Sequence, residues 1–134
     1  MPPALVAYLA SAVVFVGVDL VWLTLAGPRL YRPALGPLLA ERPNLAAAAV
    51  FYLIYLAGIF ALAVGPALRA GAGWRSAAVS GLVLGIVAYA TYDLTNQATL
   101  RLWQTRLSLI DIAWGGLLTG LAAACGYLAA QAVR

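Results

Sequence analysis

The chain of 134 residues is 65% hydrophobic and 9% charged, with a mean hydropathy of +0.96. A soluble domain carries about a quarter charged residues, so water could not cover this much apolar surface, and the composition points to a single-domain membrane protein. Eight arginines against four acids give a net charge of +4. These arginines are spread over several segments, which excludes the concentrated basic face of a nucleic-acid reader.

Other classes fall away on residue type. The chain has no histidine, which removes imidazole ligation of haem or metal and histidine general bases. The lone Cys125 cannot form an intramolecular disulfide or a C-x-x-C redox pair, and it reads as a small packing residue. No cofactor is expected. The partners expected are membrane lipids.

The first apolar run covers about residues 4–27 and closes at Gly27-Pro28. At about 1.5 Å per residue it spans a ~30 Å hydrocarbon core with some tilt. Its length and its internal Asp19 mark a retained helix rather than a cleaved signal. Twelve Leu, Val and Phe residues share the run. Each contributes roughly −0.3 to −0.6 kcal/mol to insertion, which offsets roughly +2.5 to +3.5 for a central Asp. Tyr8, Phe15, Asp19 and Trp22 recur at helical spacing and form an aromatic and acidic stripe.

Residues 28–43 read as a first loop, rich in proline and arginine, whose leucines suit the membrane interface. The second span covers about 44–64, with Asn44 placed to cap it and Gly65-Pro66 to end it. Residues 65–75 form a short loop with the interfacial Trp74. The third span covers about 76–95, where Gly81, Gly85, Tyr89 and Asp93 fall at intervals of four on one stripe. It ends in the polar sequence YATYDLTNQAT at 89–99.

A third loop takes about 97–106, and the fourth span about 107–131. That span carries Asp111, Gly115 and Thr119 on one stripe, with Gly116, Gly120 and Ala124 on the next. Small residues at this spacing let helices approach closely, within one chain or between copies in a homo-oligomer. Asp19-Leu-Val-Trp22 and Asp111-Ile-Ala-Trp114 share the pattern D-x-x-W, which sets a carboxylate and an indole one turn apart.

The fold expected is therefore all-α: a polytopic membrane protein with a bundle of four transmembrane helices. Alternating direction places the end of span one, the end of span three and the start of span four on the same side. Asp19, Asp93 and Asp111 then lie toward one leaflet, on the side where Asn44 opens span two. Arg29, Arg32, Arg42, Arg101 and Arg106 flank that side, against Arg69, Arg75 and Arg134 on the other. Five against three favours a cytoplasmic location for the first and third loops.

Ionisable residues inside a membrane default to function. The expected site is Asp19, Asp93, Asn96 and Asp111, binding a ligand or carrying protons. Trp22, Tyr89, Tyr92, Trp114 and Asn44 support it. The leading reading is binding or transport of a small cation, a proton or a polar solute. An oxygen-ligand site for Mg2+, Mn2+ or Ca2+ is a further option, although no residue is assigned as a metal ligand. The alternatives are a membrane-embedded enzyme acting on a lipid or isoprenoid, and a structural or assembly subunit whose acids pin the helices together.

The segments GVDLVWL at 17–23, RPNLAAAAVFYLIYLAG at 42–58, AYATYDLTNQATL at 88–100 and DIAWGG at 111–116 resemble a bacterial family of small integral membrane proteins, domain of unknown function 2177. The resemblance covers nearly the whole chain. It implies the four-helix architecture, a multi-pass protein of the bacterial inner membrane, and the same selection of Asp19, Asp93, Asn96 and Asp111. It implies no particular reaction.

Overall fold

The computed structural model describes all 134 residues, and no strand occurs among them. Four helical segments have the length and hydropathy to cross a membrane: α1 (Pro3–Leu38), α2 (Leu45–Ala70), α3 (Trp74–Thr99) and α4 (Thr105–Ala132). Of 104 backbone hydrogen bonds, 94 close within helices. That is the condition for crossing hydrocarbon, where no water is present to satisfy a free N–H or C=O.

The helices run further than the sequence pattern suggests, and the connections shrink accordingly. Gly27-Pro28 does not end α1. The chain passes through a π-helical turn at Gly27–Tyr31, one α turn at Arg32–Leu35 and a 3-10 turn at Gly36–Leu38. Gly65-Pro66 likewise fails to end α2. A π turn at Phe60–Val64 precedes it, and the helix continues through Gly65–Ala70. The physical reason is the same in both places. Proline lacks the N–H that would bond four residues back and its ring crowds that carbonyl, so a locally wider turn lets the helix pass.

The second connection contracts to 71–73, where Gly71 takes the left-handed conformation (φ 60°) and Gly73 has φ 87°. The third contracts to 100–104. Asn44 caps α2 as expected, its Oδ1 accepting the Ala47 N–H at 3.1 Å.

The glycine stripes are used inside the chain, and they fix how α3 meets α4. These two helices run antiparallel in close contact. A methyl group on Gly81 would strike Ala123 and the Thr119 carbonyl, one on Gly85 the Gly115 carbonyl and the Thr119 hydroxyl, and one on Gly115 the Tyr89 ring. The pairs Gly81–Ala123, Gly85–Thr119 and Tyr89–Gly115 are successive turns of a single register. On the other side of α4, Gly126 admits Ser11 of α1, whose hydroxyl donates to the Ala122 carbonyl at 3.0 Å. The inward face of α1 carries Ala7, Ser11, Phe15 and Asp19, all buried.

The outer surface is apolar. Val13, Leu45, Leu53, Ile54, Leu109 and Leu117 are each more than 60% exposed. Side chains of this kind cannot be left to water at such density, and they suit contact with acyl chains.

Candidate functional site

The α3–α4 register, carried one turn beyond Tyr89–Gly115, sets Asp93 opposite Asp111. The same register brings the two acid-bearing turns face to face. Asp93 is 0% exposed and Asp111 is 6% exposed. Neither oxygen of Asp93 meets a hydrogen-bond donor. Two ionised carboxylates facing each other offer no donor, so a proton or another cation between them would relieve the pair.

Asp111 has a second partner. The Tyr31 hydroxyl donates to its Oδ1 at 2.5 Å and accepts from the Trp22 indole N–H at 2.9 Å. Tyr31 lies on the part of α1 that continues beyond Pro28. Had the helix stopped at Gly27, this hydroxyl would sit in a loop. The π turn therefore builds one wall of the site.

Asp19 is held differently, with each carboxylate oxygen occupied. Its Oδ2 accepts from the Tyr52 hydroxyl at 2.8 Å, and its Oδ1 accepts from the Trp114 indole N–H at 3.2 Å. The two D-x-x-W segments thus interlock. Trp114, one turn from Asp111, serves Asp19. Trp22, one turn from Asp19, serves Asp111 through Tyr31. The two indoles stack face to face, with centroids 4.4 Å apart and planes 10° from parallel.

A cavity of about 430 Å³ opens on the α2 side of the acid pair, lined by Phe51, Tyr55, Ala88, Tyr89, Tyr92 and Asp111. Phe51 and Tyr55 stack at 5.3 Å, and Tyr89 meets Tyr55 edge-on at 6.3 Å. The Tyr55 hydroxyl is engaged with Thr119 at 2.8 Å. Phe51 and Tyr92, 45% and 57% exposed, form the rim. The mouth therefore lies between α2 and α3 on the outer surface.

The site residues expected from the sequence separate into two groups. Asp19, Asp93, Asp111, Trp22, Tyr89 and Trp114 gather at one end of the bundle, and Tyr92 borders the cavity. Asn96 is half-buried and its side chain makes no hydrogen bond with the aspartates. Asn44 is exposed, and its side chain is engaged in the cap of α2. Gln97, in the same polar stretch, ties the end of α3 to α4 by bonding Thr105 and Ser108 at 2.8 and 2.7 Å.

Tyr31 and Tyr52 are the polar partners that sequence reasoning did not assign to the site. No group of three acidic, cysteine or histidine side chains is arranged to hold a metal ion. No arginine bonds to any of the three aspartates. The donors to Asp19 and Asp111 are two phenols and one indole.

Residues 4–128 match the family described as Predicted membrane protein (DUF2177). No curated protein and no solved structure matches the chain.

Proposed function

The chain belongs to this family of predicted membrane proteins, and from the site it carries we propose that it binds or transports a small cation, a proton or a polar solute at the Asp93–Asp111 pair. The observation that carries this reading is Asp93: fully buried, with both oxygens unpartnered, and set opposite Asp111 by the α3–α4 register. An unsatisfied polar group in a membrane interior costs several kcal/mol. A bare pair would also suffer like-charge repulsion. One proton lowers both penalties, since a protonated carboxyl donates to its neighbour and leaves a single negative charge on the pair.

Asp19 plays another part in this reading. Both its oxygens are bonded, so it joins α1 to α2 and α4 and fixes the indole stack. The protein works in the cell membrane, surrounded by lipid, with the pair toward one leaflet.

The test is thermal unfolding of the detergent-solubilised chain across a panel of Na+, K+, Mg2+ and Ca2+ concentrations and a range of proton concentrations. The wild type should shift with at least one of these cations, and Asp93→Asn should abolish the shift. Identical unfolding of wild type and variant across the panel would contradict the reading.

A further inference from the structure

The cavity beside the acid pair has a composition that selects a ligand class. Its lining is four aromatic rings (Phe51, Tyr55, Tyr89 and Tyr92), the methyl of Ala88 and one carboxyl, Asp111. No lining residue is cationic, and the Tyr55 hydroxyl is already engaged with Thr119. Its volume of about 430 Å³ falls within the roughly 300–1,000 Å³ of small-molecule sites.

We propose that this cavity takes an organic cation with an apolar body, an amine or quaternary ammonium that reaches it sideways from the lipid between α2 and α3. The inference rests on the acid pair being the cation site described above, and it names the cation.

Three observations argue for this class. The first is charge. A pair holding one proton keeps one negative charge, and Asp111 is the one acid in the cavity's lining. The fully buried, unpartnered Asp93 faces Asp111 across the α3–α4 register. An anion would be repelled, and a neutral solute would leave the charge uncompensated.

The second is the wall. Aromatic faces attract an ammonium through their quadrupoles, an interaction that strengthens where water is excluded. A hydrated inorganic ion would gain little from four rings and would lose its water. An organic cation matches the rings with its body and the carboxylate with its head.

The third is access. The rim residues Phe51 and Tyr92 are exposed on the surface that carries the apolar belt. A ligand already dissolved in the leaflet can therefore enter without crossing the bundle.

The probe pair is benzyltrimethylammonium and neopentylbenzene, which share a shape and differ by the charge. Binding to the full chain in detergent is measured by calorimetry, with wild type, Asp111→Asn and Ala88→Leu. Wild type should bind the ammonium at least tenfold more tightly than the hydrocarbon. Asp111→Asn should lose that preference. Ala88→Leu fills the cavity while both acids remain and should lose binding of both probes.

Equal affinity for the two probes, or undiminished ammonium binding by Ala88→Leu, would overturn the proposal. The inorganic-cation panel separates the two levels. If Asp93→Asn abolishes a shift with small cations or protons while the ammonium fails to bind wild type, this inference falls and the acid-pair reading stands. If the panel shows no shift and the ammonium binds with no dependence on Asp111, both fall.

Discussion

Trp22 and Trp114 stack with their ring centroids 4.4 Å apart; Trp114 donates to Asp19 of α1, and Trp22 reaches Asp111 of α4 through the Tyr31 hydroxyl. The arrangement converts a short sequence echo into a clasp between α1 and α4. Trp114→Phe removes the donor to Asp19 but leaves a ring to stack. It should cost about 0.6–1.7 kcal/mol, the range of hydrogen bonds between membrane helices. Tyr52→Phe removes the other donor to Asp19, and with both donors gone the loss should exceed the sum, since a buried carboxylate is then left bare. Reversible unfolding in mixed micelles of the two single variants and the double variant checks this. Additive losses would show that the two donors act independently.

Tyr31 couples α1 to the acid pair. Tyr31→Phe keeps the ring but strands the Trp22 N–H and removes the only phenolic donor to Asp111. We expect a loss of about 1–3 kcal/mol, accompanied by a change in indole fluorescence, because the Trp22 environment opens. Unfolding and emission spectra indistinguishable from wild type would contradict the proposed coupling.

The glycine pairs make a prediction with an internal control. Gly115→Ala meets the Tyr89 ring and Gly85→Ala meets the Gly115 carbonyl, so each should destabilise by about 1–3 kcal/mol through overpacking. Gly17 and Gly58 have nothing within 4 Å of an added methyl. There the Ala variants should lie within about 1 kcal/mol of wild type, on the stabilising side, because alanine favours the helix. Measured stabilities for the four variants decide it, and similar effects at all four positions would refute the register.

Much of this was legible in the sequence because its causes are local or periodic. Spacing by four put Gly81, Gly85, Tyr89 and Asp93 on one stripe and Asp111, Gly115 and Thr119 on another. Two such stripes on neighbouring antiparallel helices can interlock in few ways. Alternating direction through four spans placed the three aspartates toward one end. Where α1 and α2 end was not legible. Gly27-Pro28 and Gly65-Pro66 read as stops because proline breaks the regular α pattern. Whether the chain turns away or widens into a π turn depends on what the next residues pack against.

That misreading hid Tyr31, which lies beyond the apparent stop. Tyr52 was hidden for a different reason. A tyrosine among Phe51 and Tyr55 gives no local sign that its hydroxyl meets a carboxylate 33 residues away. Asn44 and Asn96 drew attention by their polarity. One is engaged in a helix cap and the other lies one turn past Asp93 without bonding an aspartate.

Cavity access offers a further check on the same geometry. Tyr92→Ala opens the rim and leaves the acid pair untouched. It should speed both arrival and departure of benzyltrimethylammonium, with the equilibrium affinity falling by about the worth of one aromatic contact, ~0.5–2 kcal/mol. Stopped-flow quenching of the indole emission reads both rates. Unchanged rates would place the path of the ligand elsewhere.

On this reading Asp93 and Asp111 share a proton in place of the donor that Asp93 lacks. Infrared spectroscopy of the chain labelled with ¹³C at the aspartate carboxyl groups reads this directly, since the label separates the three aspartates from Glu41. Near neutral pH the wild type should show a protonated-carboxyl C=O band that disappears in Asp93→Asn and persists in Asp19→Asn. A wild-type spectrum with all three aspartates ionised would contradict the account.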